Sequence, residues 1–284
     1  MTGLRPLIRA ALDEDVGPGD LTTEATVSPT RKGAAVILAK EDLVLAGLDV
    51  ARAVFDELAD RTGDTYAWSA LATDGEAVLR GSHVARIEAP LRLILTGERV
   101  ALNFLMRMSG IATNVRRYVL AAGPDGPRVV DTRKTTPVHR ELEKYAVRCG
   151  GGRNHRHALY DGVLIKDNHI AAVGSIPEAV RRAQATAHHL VRIEVEVTNL
   201  DQLAEAIDAG ADVVLLDNFT DEGLREAVKA ARARDPDVLL EGSGGMTPER
   251  IANLRDAGLD LVSAGGLVHQ SRWVDLSLDV VAAE

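Results

Sequence analysis

The chain has 284 residues, enough for one large α/β domain or for two smaller ones whose cores need no disulfide. Its hydrophobic fraction of 46% and charged fraction of 26% are those of an ordinary globular protein, and no apolar run approaches the ~18 residues of a membrane span, which argues against a membrane protein. The net charge of −9 argues against nucleic acid as a partner, because binding to the phosphate backbone needs an extended basic face.

Residues 1–110 are predicted to form an N-terminal α+β sandwich domain. The start, MTGLRPLIRAALDEDVG, is amphipathic and lacks the apolar core of a secretory signal, so a cytoplasmic location is expected. The next segment, KGAAVILAKEDLVLAGLDVARAVFDEL, predicts a strand, a turn and a helix. EAVLRGSHVARIEAPLRLIL, residues 76–95, alternates with a period of two, as antiparallel sheets do. ERVALNFLMRMSGIATNVRRYVLAA has helical spacing and predicts one or two helices that link the domains.

From residue 128 the chain repeats a unit of strand, turn and amphipathic helix. The predicted strands are RVVDT (128–132), GVLIK (162–166), VRIEVEV (191–197), DVVLLDN (212–218), VLLEGSG (238–244) and DLVSAGG (260–266). Near-continuous apolar runs such as residues 213–216 are typical of parallel strands that are buried on both faces. Ser175 and Thr247, each followed by proline within two residues, are predicted helix N-caps.

Polar residues at the ends of these strands favour a (β/α) barrel over a doubly wound sheet. Active sites of such barrels are built at the C-terminal ends of several strands, whereas no G-x-G-x-x-G turn follows the first strand here. Because six strands are visible rather than eight, residues 111–269 predict an incomplete (β/α) barrel that carries the catalytic site. The C-terminal segment, residues 270–284, alternates weakly and is expected to return to the N-terminal sheet as an added strand rather than to remain a separate edge strand.

Residues 131–169, here called the cationic segment, stand out in this acidic chain. They hold eight Lys or Arg and four His against five Asp or Glu, a local excess that suits a small, densely anionic ligand. Within the segment, Arg140, Lys144 and Arg148 lie on a predicted helix with two glutamates and are expected to be solvated or interfacial. Cys149 is expected to be a packed, unreactive thiol. The cations for a ligand are therefore those at the strand end and in GGGRNHR.

Glycine-bearing turns follow the last two predicted strands. They are Ser243-Gly244-Gly245 and Ala264-Gly265-Gly266. Exposed backbone N–H groups in such turns form phosphate cradles in barrels, and the occurrence of two successive turns favours this hypothesis over plain tight turns. Gly150-Gly151-Gly152 follows a predicted helix and fits a helix stop or hinge equally well.

Carboxylates on the predicted strands need positive partners. Glu194 and Glu196 are two residues apart and share one strand face, where unpartnered burial would be costly. The partners are expected to be Lys166 or Arg133, or a divalent metal with oxygen ligands. A purely structural ion-pair network is the stronger alternative for Glu194 and Glu241.

Two further hypotheses concern single residues. Lys166 could form a Schiff base, as in barrel aldolases, but adjacent Asp167 and the carboxylates on the following strands favour an ammonium that holds an anion. His155 and His157 could bind a metal, but the arginines around them would repel a cation.

Blocks along nearly the whole chain resemble one enzyme family. They run from ALDEDVGPGDLTTEAT and ERVALNFLMRMSGIAT through the cationic segment and EVEVTNLDQLAEAIDAGADVVLLDN to EGSGGMTPERI and SAGGLVH, with DTRKT and GGGRNHR the most specific. In these blocks the chain resembles quinolinate phosphoribosyltransferase, also called carboxylating nicotinate-nucleotide pyrophosphorylase. SAGGLVHQ and EGSGGM depart slightly from the commoner family forms, which puts fine phosphate geometry in doubt, but no glycine is lost.

The resemblance implies an enzyme of NAD synthesis that joins quinolinate to phosphoribosyl pyrophosphate, with Mg²⁺ as cofactor. Its products would be nicotinate mononucleotide, pyrophosphate and CO₂. The resemblance also implies a homodimer, alone or within a higher oligomer, in which Arg99 reaches the neighbouring subunit's site. The alternatives are a phosphoribosyltransferase for another aromatic acid, a barrel aldolase using Lys166 and a non-catalytic anion-binding module.

The resemblance also assigns residues by position. The residues similar to those that bind the dicarboxylate are Thr132, Arg133, His155 and Arg156. Those similar to the lysines that face pyrophosphate and a substrate carboxylate are Lys134 and Lys166. The acids near the ribose hydroxyls and Mg²⁺, binding the metal directly or through water or substrate, are Glu196 and Asp217. The 5′-phosphate cradle corresponds to Ser243, Gly244, Gly245, Ala264, Gly265 and Gly266. The catalytic candidates are Lys134, Lys166, Glu196 and Asp217.

Overall fold

An antiparallel sheet and a parallel sheet dominate the computed structural model, which describes residues 3–281. The chain divides into two units that separate these sheets. The first unit comprises the described residues of ranges 1–116, 136–151 and 271–284, and the second comprises 117–135 and 152–270. Within residues 3–281, no helix is long and apolar enough to cross a membrane.

The elements follow in chain order. The helices are α1 (Leu4–Val16), α2 (Leu21–Thr26), α3 (Leu48–Thr62), α4 (Leu91–Ala122), α5 (Arg140–Cys149), α6 (Asp167–Val173), α7 (Ile176–Thr186), α8 (Leu200–Asp208), α9 (Asp221–Arg234), α10 (Pro248–Asn253) and α11 (Gly266–His269). The strands are β1 (Lys32–Ala39), β2 (Leu43–Val44), β3 (Ala67–Ala70), β4 (Ala77–Val78), β5 (His83–Pro90), β6 (Arg128–Val130), β7 (Val163–Ile165), β8 (Ile193–Val197), β9 (Val213–Asp217), β10 (Leu239–Ser243), β11 (Leu261–Ser263) and β12 (Leu276–Val281).

The first unit is built on the antiparallel sheet that the period-two pattern predicts. Its strand order is β12-β1-β5-β3, and Ala34 of β1 lies opposite Glu88 of β5 on one side and Val281 of β12 on the other. The fully buried Phe55 of α3 lies with its ring centroid 6.0 Å from that of Trp68 on β3. The C-terminal segment thus supplies an edge strand of this sheet.

Two features of the first unit differ from the sequence prediction. Residues 91–95 belong to α4, a single helix, because β5 ends at Pro90, which has no N–H for the sheet ladder, and apolar residues then recur at helical spacing. Lys144 is only 1% exposed rather than solvated. Its neighbour Glu143 is equally buried and accepts a hydrogen bond from Arg107 Nη2 at 2.7 Å, so one face of α5 is covered.

The second unit contains the six predicted strands, all parallel. Their order, β6-β11-β10-β9-β8-β7, is the chain order closed into a ring with one seam between β6 and β7, so the prediction of an incomplete barrel is confirmed. Arg153 occupies the β6 side of this seam, where its N–H donates to Val129 at 2.9 Å and its carbonyl accepts from Asp131 at 3.1 Å. The loop after Arg153 is therefore carried to the C-terminal end of β6. The predicted caps are also confirmed, because Ser175 and Thr247 accept backbone bonds at the starts of α7 and α10.

Candidate active site

A cavity of about 660 Å³ opens at the C-terminal ends of the six parallel strands. It is lined by every site residue that was predicted within the second unit: Thr132, Arg133, Lys134, His155, Arg156, Lys166, Glu196, Asp217, Ser243, Gly244, Gly245, Ala264, Gly265 and Gly266. Parallel strands present their carboxyl ends at one edge of a sheet, which explains why residues that are far apart in sequence meet there. Arg99 lies on α4 in the first unit, and its side chain is 58% exposed.

A buried carboxylate anchors the loop after Arg153 through hydrogen bonds. Asp131, which follows β6 and is 0% exposed, accepts hydrogen bonds from Asn154 Nδ2 at 2.7 Å and from the backbone N–H of His155 at 2.9 Å. This anchoring places Arg156 beside Arg133. Burial, and then the charge of Arg133, lower the pKa of Arg156 from its ordinary value. An anion bound between these two guanidinium groups would offset the unfavourable environment of the Arg156 charge.

The cation at the end of β7 is paired. Lys166 Nζ donates to Glu196 Oε2, the carboxylate that follows Val195 on β8. The pair faces the cavity, since both side chains line it. Asp217, at the end of β9, lines the same wall, and its Oδ2 accepts a hydrogen bond from Asn218 Nδ2 at 2.7 Å. The expectation that the carboxylates need positive partners is therefore met for Glu196 by Lys166.

His155 connects the loop after Arg153 to two buried carboxylates. Its Nδ1 accepts from the backbone N–H of Arg156 at 2.7 Å, which leaves the proton of the neutral ring on Nε2. Nε2 lies 3.0 Å from Glu194 Oε2 and 3.7 Å from Glu241 Oε2. Glu194 is 7% exposed and Glu241 is 2% exposed, and among the described residues neither Oε1 atom has a hydrogen-bond partner. Burial first, and then the charge of Glu194, raise the pKa of Glu241 to about 7.

A proton fits this cluster better than a metal ion. The ligand atoms of His155, Glu194 and Glu241 lie within 4.8 Å of one another, as in a metal site. A metal on Nε2 would require a proton on Nδ1, however, and Nδ1 already accepts from a backbone N–H. Glu196 and Asp217 have the hard carboxylate oxygens that Mg²⁺ takes, and both line the cavity. These two acids fit the predicted Mg²⁺ by the chemistry of their donor atoms.

Both glycine turns pack closely against other residues of the cavity. A Cβ at Gly244, where φ is +89°, would lie 2.2 Å from Asn218 Oδ1. A Cβ at Gly265 would lie 2.8 Å from Lys134 Cδ. Glycine is thus required at Gly244, where φ is also positive, whereas at Gly265 the flexible Lys134 side chain would have to move; both turns line one cavity with their backbone.

Family models match almost the whole chain. The model described as "Quinolinate phosphoribosyl transferase, N-terminal domain" matches residues 20–109, and "Quinolinate phosphoribosyl transferase, C-terminal domain" matches residues 111–279. The chain belongs to the quinolinate phosphoribosyltransferase family. The predicted family resemblance is thereby confirmed.

Individual relatives agree with this membership over nearly their full length. The chain is 42% identical over 278 residues to a Bacillus subtilis (strain 168) protein named probable nicotinate-nucleotide pyrophosphorylase (carboxylating). The aligned region covers 98% of this chain and 93% of that protein. It is 38% identical to the nicotinate-nucleotide pyrophosphorylase (carboxylating) of Homo sapiens, over 99% of this chain and 93% of that protein. The solved structure of NadC from Streptococcus pyogenes has a TM-score of 0.90 at 40% identity, with 98% of this chain and 96% of that chain covered.

Several residues that line the cavity of this family member were not predicted from its sequence. They are Leu164, Leu215, Asn218, Met246, Thr247, His269 and Gln270. No local pattern distinguishes Asn218, although its left-handed backbone, with φ +59°, is rare outside glycine. His269 and Gln270 lie beyond the last predicted glycine turn, and only their adjacency to it pointed to the site.

A second cavity and the single thiol lie in the first unit. The cavity, of about 880 Å³, is lined by Lys32 and by Arg86, whose Nε donates to Glu88 Oε1 at 2.9 Å.

Cys149 is half-buried, and desolvation first raises the pKa of its thiol to about 11, so the thiol stays protonated at neutral pH. The expectation of an unreactive Cys149 fits this environment.

Proposed function

We propose that this chain transfers the phosphoribosyl group of phosphoribosyl pyrophosphate to quinolinate with decarboxylation, giving nicotinate mononucleotide, pyrophosphate and CO₂ for NAD synthesis. The observation that carries the proposal is the cavity of the second unit. Four cationic side chains and two glycine turns converge there, in a member of the quinolinate phosphoribosyltransferase family. The chain's relatives named above act, by their names, in the carboxylating nicotinate-nucleotide pyrophosphorylase reaction.

Quinolinate binds, in this proposal, at the wall formed by Arg133 and Arg156. A pyridine dicarboxylate brings two negative charges, and two guanidinium forks match two carboxylates in charge and geometry. His155 and Thr132 complete this wall, since both line the cavity beside the arginines. Burial and the charge of Arg133 lower the pKa of Arg156, and a bound anion beside the guanidinium would raise that pKa again.

Phosphoribosyl pyrophosphate occupies the part of the cavity at the ends of β10 and β11. The turns Ser243–Gly245 and Ala264–Gly266 receive the 5′-phosphate through backbone N–H groups, as glycine turns after the last strands of barrels do. Lys134, whose side chain packs against Gly265, and Lys166 hold the pyrophosphate and the nearby substrate carboxylate as point charges.

The acids act on the ribose. Displacement at the anomeric carbon develops positive charge on the ring, and the carboxylates of Glu196 and Asp217 at the cavity wall stabilise that charge and accept from the ribose hydroxyls. Mg²⁺, when bound near Glu196 and Asp217, would neutralise part of the negative charge on the departing pyrophosphate. Lys166, paired with Glu196, holds that carboxylate in place.

Decarboxylation follows transfer because of the new charge on the pyridine. Once the ring nitrogen is alkylated, its positive charge stabilises the carbanion left when CO₂ leaves the adjacent carbon. The electron pair of the broken C–C bond stays on that carbon, which then takes a proton from solvent. We assign no general base to this step.

The aldolase alternative does not fit the environment of Lys166. Schiff-base formation needs a free amine, and the Nζ of Lys166 instead donates to the carboxylate of Glu196 in an ion pair. The homodimer, the reach of Arg99 into a neighbouring site and the cytoplasmic location remain our proposals from the sequence.

Substrate choice tests this function against a transferase for another aromatic acid. Purified protein with phosphoribosyl pyrophosphate and Mg²⁺ is given either quinolinate or nicotinate, its mono-acid counterpart. We expect nicotinate mononucleotide from quinolinate and a rate at least ~100-fold lower from nicotinate, because one guanidinium would face no carboxylate. Comparable rates with both acids would contradict the proposal.

A further inference from the structure

We propose that Asn218 is a positioning residue that couples the carboxylate of Asp217 to the turn Ser243–Gly245. Through this coupling, the position of the ribose and that of the 5′-phosphate are set together. The proposal rests on the proposed function, which puts the ribose near Asp217 and the phosphate at that turn.

The backbone of Asn218 is held in an unfavourable conformation. Its φ of +59° is left-handed, and among the described non-glycine residues only Val138, with φ +62°, shares this sign. Asparagine tolerates this region better than most residues, yet it still needs surrounding contacts to hold it there. A strained residue directly after a predicted catalytic acid indicates a role for that conformation.

Three contacts of Asn218 join the two loops. Its side-chain Nδ2 donates to Asp217 Oδ2 at 2.7 Å, and its backbone N–H donates to the carbonyl of Ser243 at 3.1 Å. Its Oδ1 occupies the space that a Cβ at Gly244 would fill, 2.2 Å from that position. The left-handed backbone turns the amide so that one side chain reaches both the acid of β9 and the turn after β10.

Arg250 braces the same two loops. Its Nη2 donates to the carbonyl of Phe219 at 2.6 Å, its Nε donates to Asp221 Oδ1 at 2.7 Å, and its Nη1 donates to the carbonyl of Gly244. The loop after β9 and the turn after β10 are therefore joined by Arg250 as well as by Asn218. This second connection allows the backbone to persist when only the Asn218 amide is removed.

The test is Asn218→Gly, because glycine adopts φ +59° at no steric cost, so the backbone is kept while the side chain with its amide is removed. Titration calorimetry measures the dissociation constants of phosphoribosyl pyrophosphate with Mg²⁺ and, separately, of quinolinate. We expect about a tenfold weaker affinity for phosphoribosyl pyrophosphate, the size of one lost bond to a charged group, and an unchanged affinity for quinolinate. A merely structural residue would affect both ligands alike, and that result would overturn the proposal.

Asn199→Gly is the matched control. Asn199 caps α8 outside the cavity by accepting from Gln202 N at 2.9 Å, so this variant should bind both ligands as the wild type does. If wild-type protein binds neither ligand, the proposed function fails and this proposal with it. If it binds both and Asn218→Gly also binds both as tightly, only the role of Asn218 is refuted.

A double-mutant cycle tests the contact between Asn218 and Gly244 itself. Gly244→Ala should weaken binding of phosphoribosyl pyrophosphate strongly in the wild type, because the new Cβ meets Asn218 Oδ1. In the Asn218→Gly background the same change should cost at least ~threefold less affinity, although the Cβ would still lie 2.9 Å from the backbone nitrogen of residue 218. Equal losses in the two backgrounds would overturn the coupling.

Discussion

His155 Nε2, in the loop after Arg153, lies within hydrogen-bond distance of Glu194 Oε2, at 3.0 Å. The other ring nitrogen accepts from the backbone N–H of Arg156 at 2.7 Å. Both nitrogens of the imidazole are therefore engaged by the protein. In the proposed function, charge recognition of the dicarboxylate therefore rests on Arg133 and Arg156, and we propose that His155, besides lining the cavity, holds the backbone from which Arg156 extends.

Arg133→Ala is expected to weaken quinolinate binding by about 100-fold while leaving affinity for phosphoribosyl pyrophosphate nearly unchanged. The reason is that a guanidinium fork matched to a carboxylate is lost on one side of the cavity only. Separate titrations of the two ligands measure the difference. Arg153→Ala is the control, because Arg153, although it belongs to GGGRNHR, is not among the residues that line the cavity and pairs with β6 through its backbone. Equal losses for the two ligands would refute the assignment of Arg133 to quinolinate.

Glu241 should make the folded protein less stable as the pH rises from about 4.5 to about 7. Its carboxyl titrates near 4.5 when unperturbed and at about 7 in the folded chain, because it is buried first and lies near Glu194, while His155 and Lys166 oppose the shift. Between these pH values the folded state binds more protons. The stabilisation is therefore complete below pH 4.5 and is lost as the pH rises through about 7.

Glu241→Gln should remove this dependence. Chemical unfolding measures the free energy of unfolding at pH 5 and at pH 8. The difference between these two values should be smaller in Glu241→Gln than in the wild type by on the order of 3 kcal/mol. Glu226→Gln, at an exposed position of α9, should keep the wild-type change. An unaltered pH dependence in Glu241→Gln would show that Glu241 does not carry the proton.

The barrel strands could be predicted from sequence because strands buried on both faces leave long apolar runs, as at residues 213–216. Polar residues at the ends of those runs then indicated the cavity lining. The boundary at Pro90 was missed because Leu91 and Leu93 continue the alternation of β5 by coincidence, although they belong to a helix. Lys144 was missed because burial of a charged helix face depends on tertiary packing and leaves no mark in local spacing.

The contacts inside the site were less predictable than its residues. The pairing of Lys166 with Glu196 follows from adjacent strands and was among the expected partners. The anchoring of the loop after Arg153 by Asp131 depends on the seam of the barrel, where Arg153 pairs with β6 in the absence of a neighbouring strand. The register that creates this seam is a property of the whole sheet, so no local pattern in the sequence reports it.

Sharing of sites between subunits can be tested by complementation. Arg99→Ala and Lys134→Ala are each expected to be nearly inactive, because each removes a cation from every site of the proposed homodimer. Mixing them with verified subunit exchange should restore about a quarter of wild-type activity, since half of the dimers would be mixed and each would hold one intact site. No recovery would contradict a role for Arg99 in the neighbouring site.

The most direct test of the proposed function uses quinolinate labelled in the carboxylate on the carbon next to the ring nitrogen. The protein is incubated with this substrate, phosphoribosyl pyrophosphate and Mg²⁺, and labelled CO₂ and nicotinate mononucleotide are both measured. We predict one labelled CO₂ for each nicotinate mononucleotide, and neither product when phosphoribosyl pyrophosphate is omitted. Folded protein that releases no label, or that releases label without phosphoribosyl pyrophosphate, would contradict the proposed function.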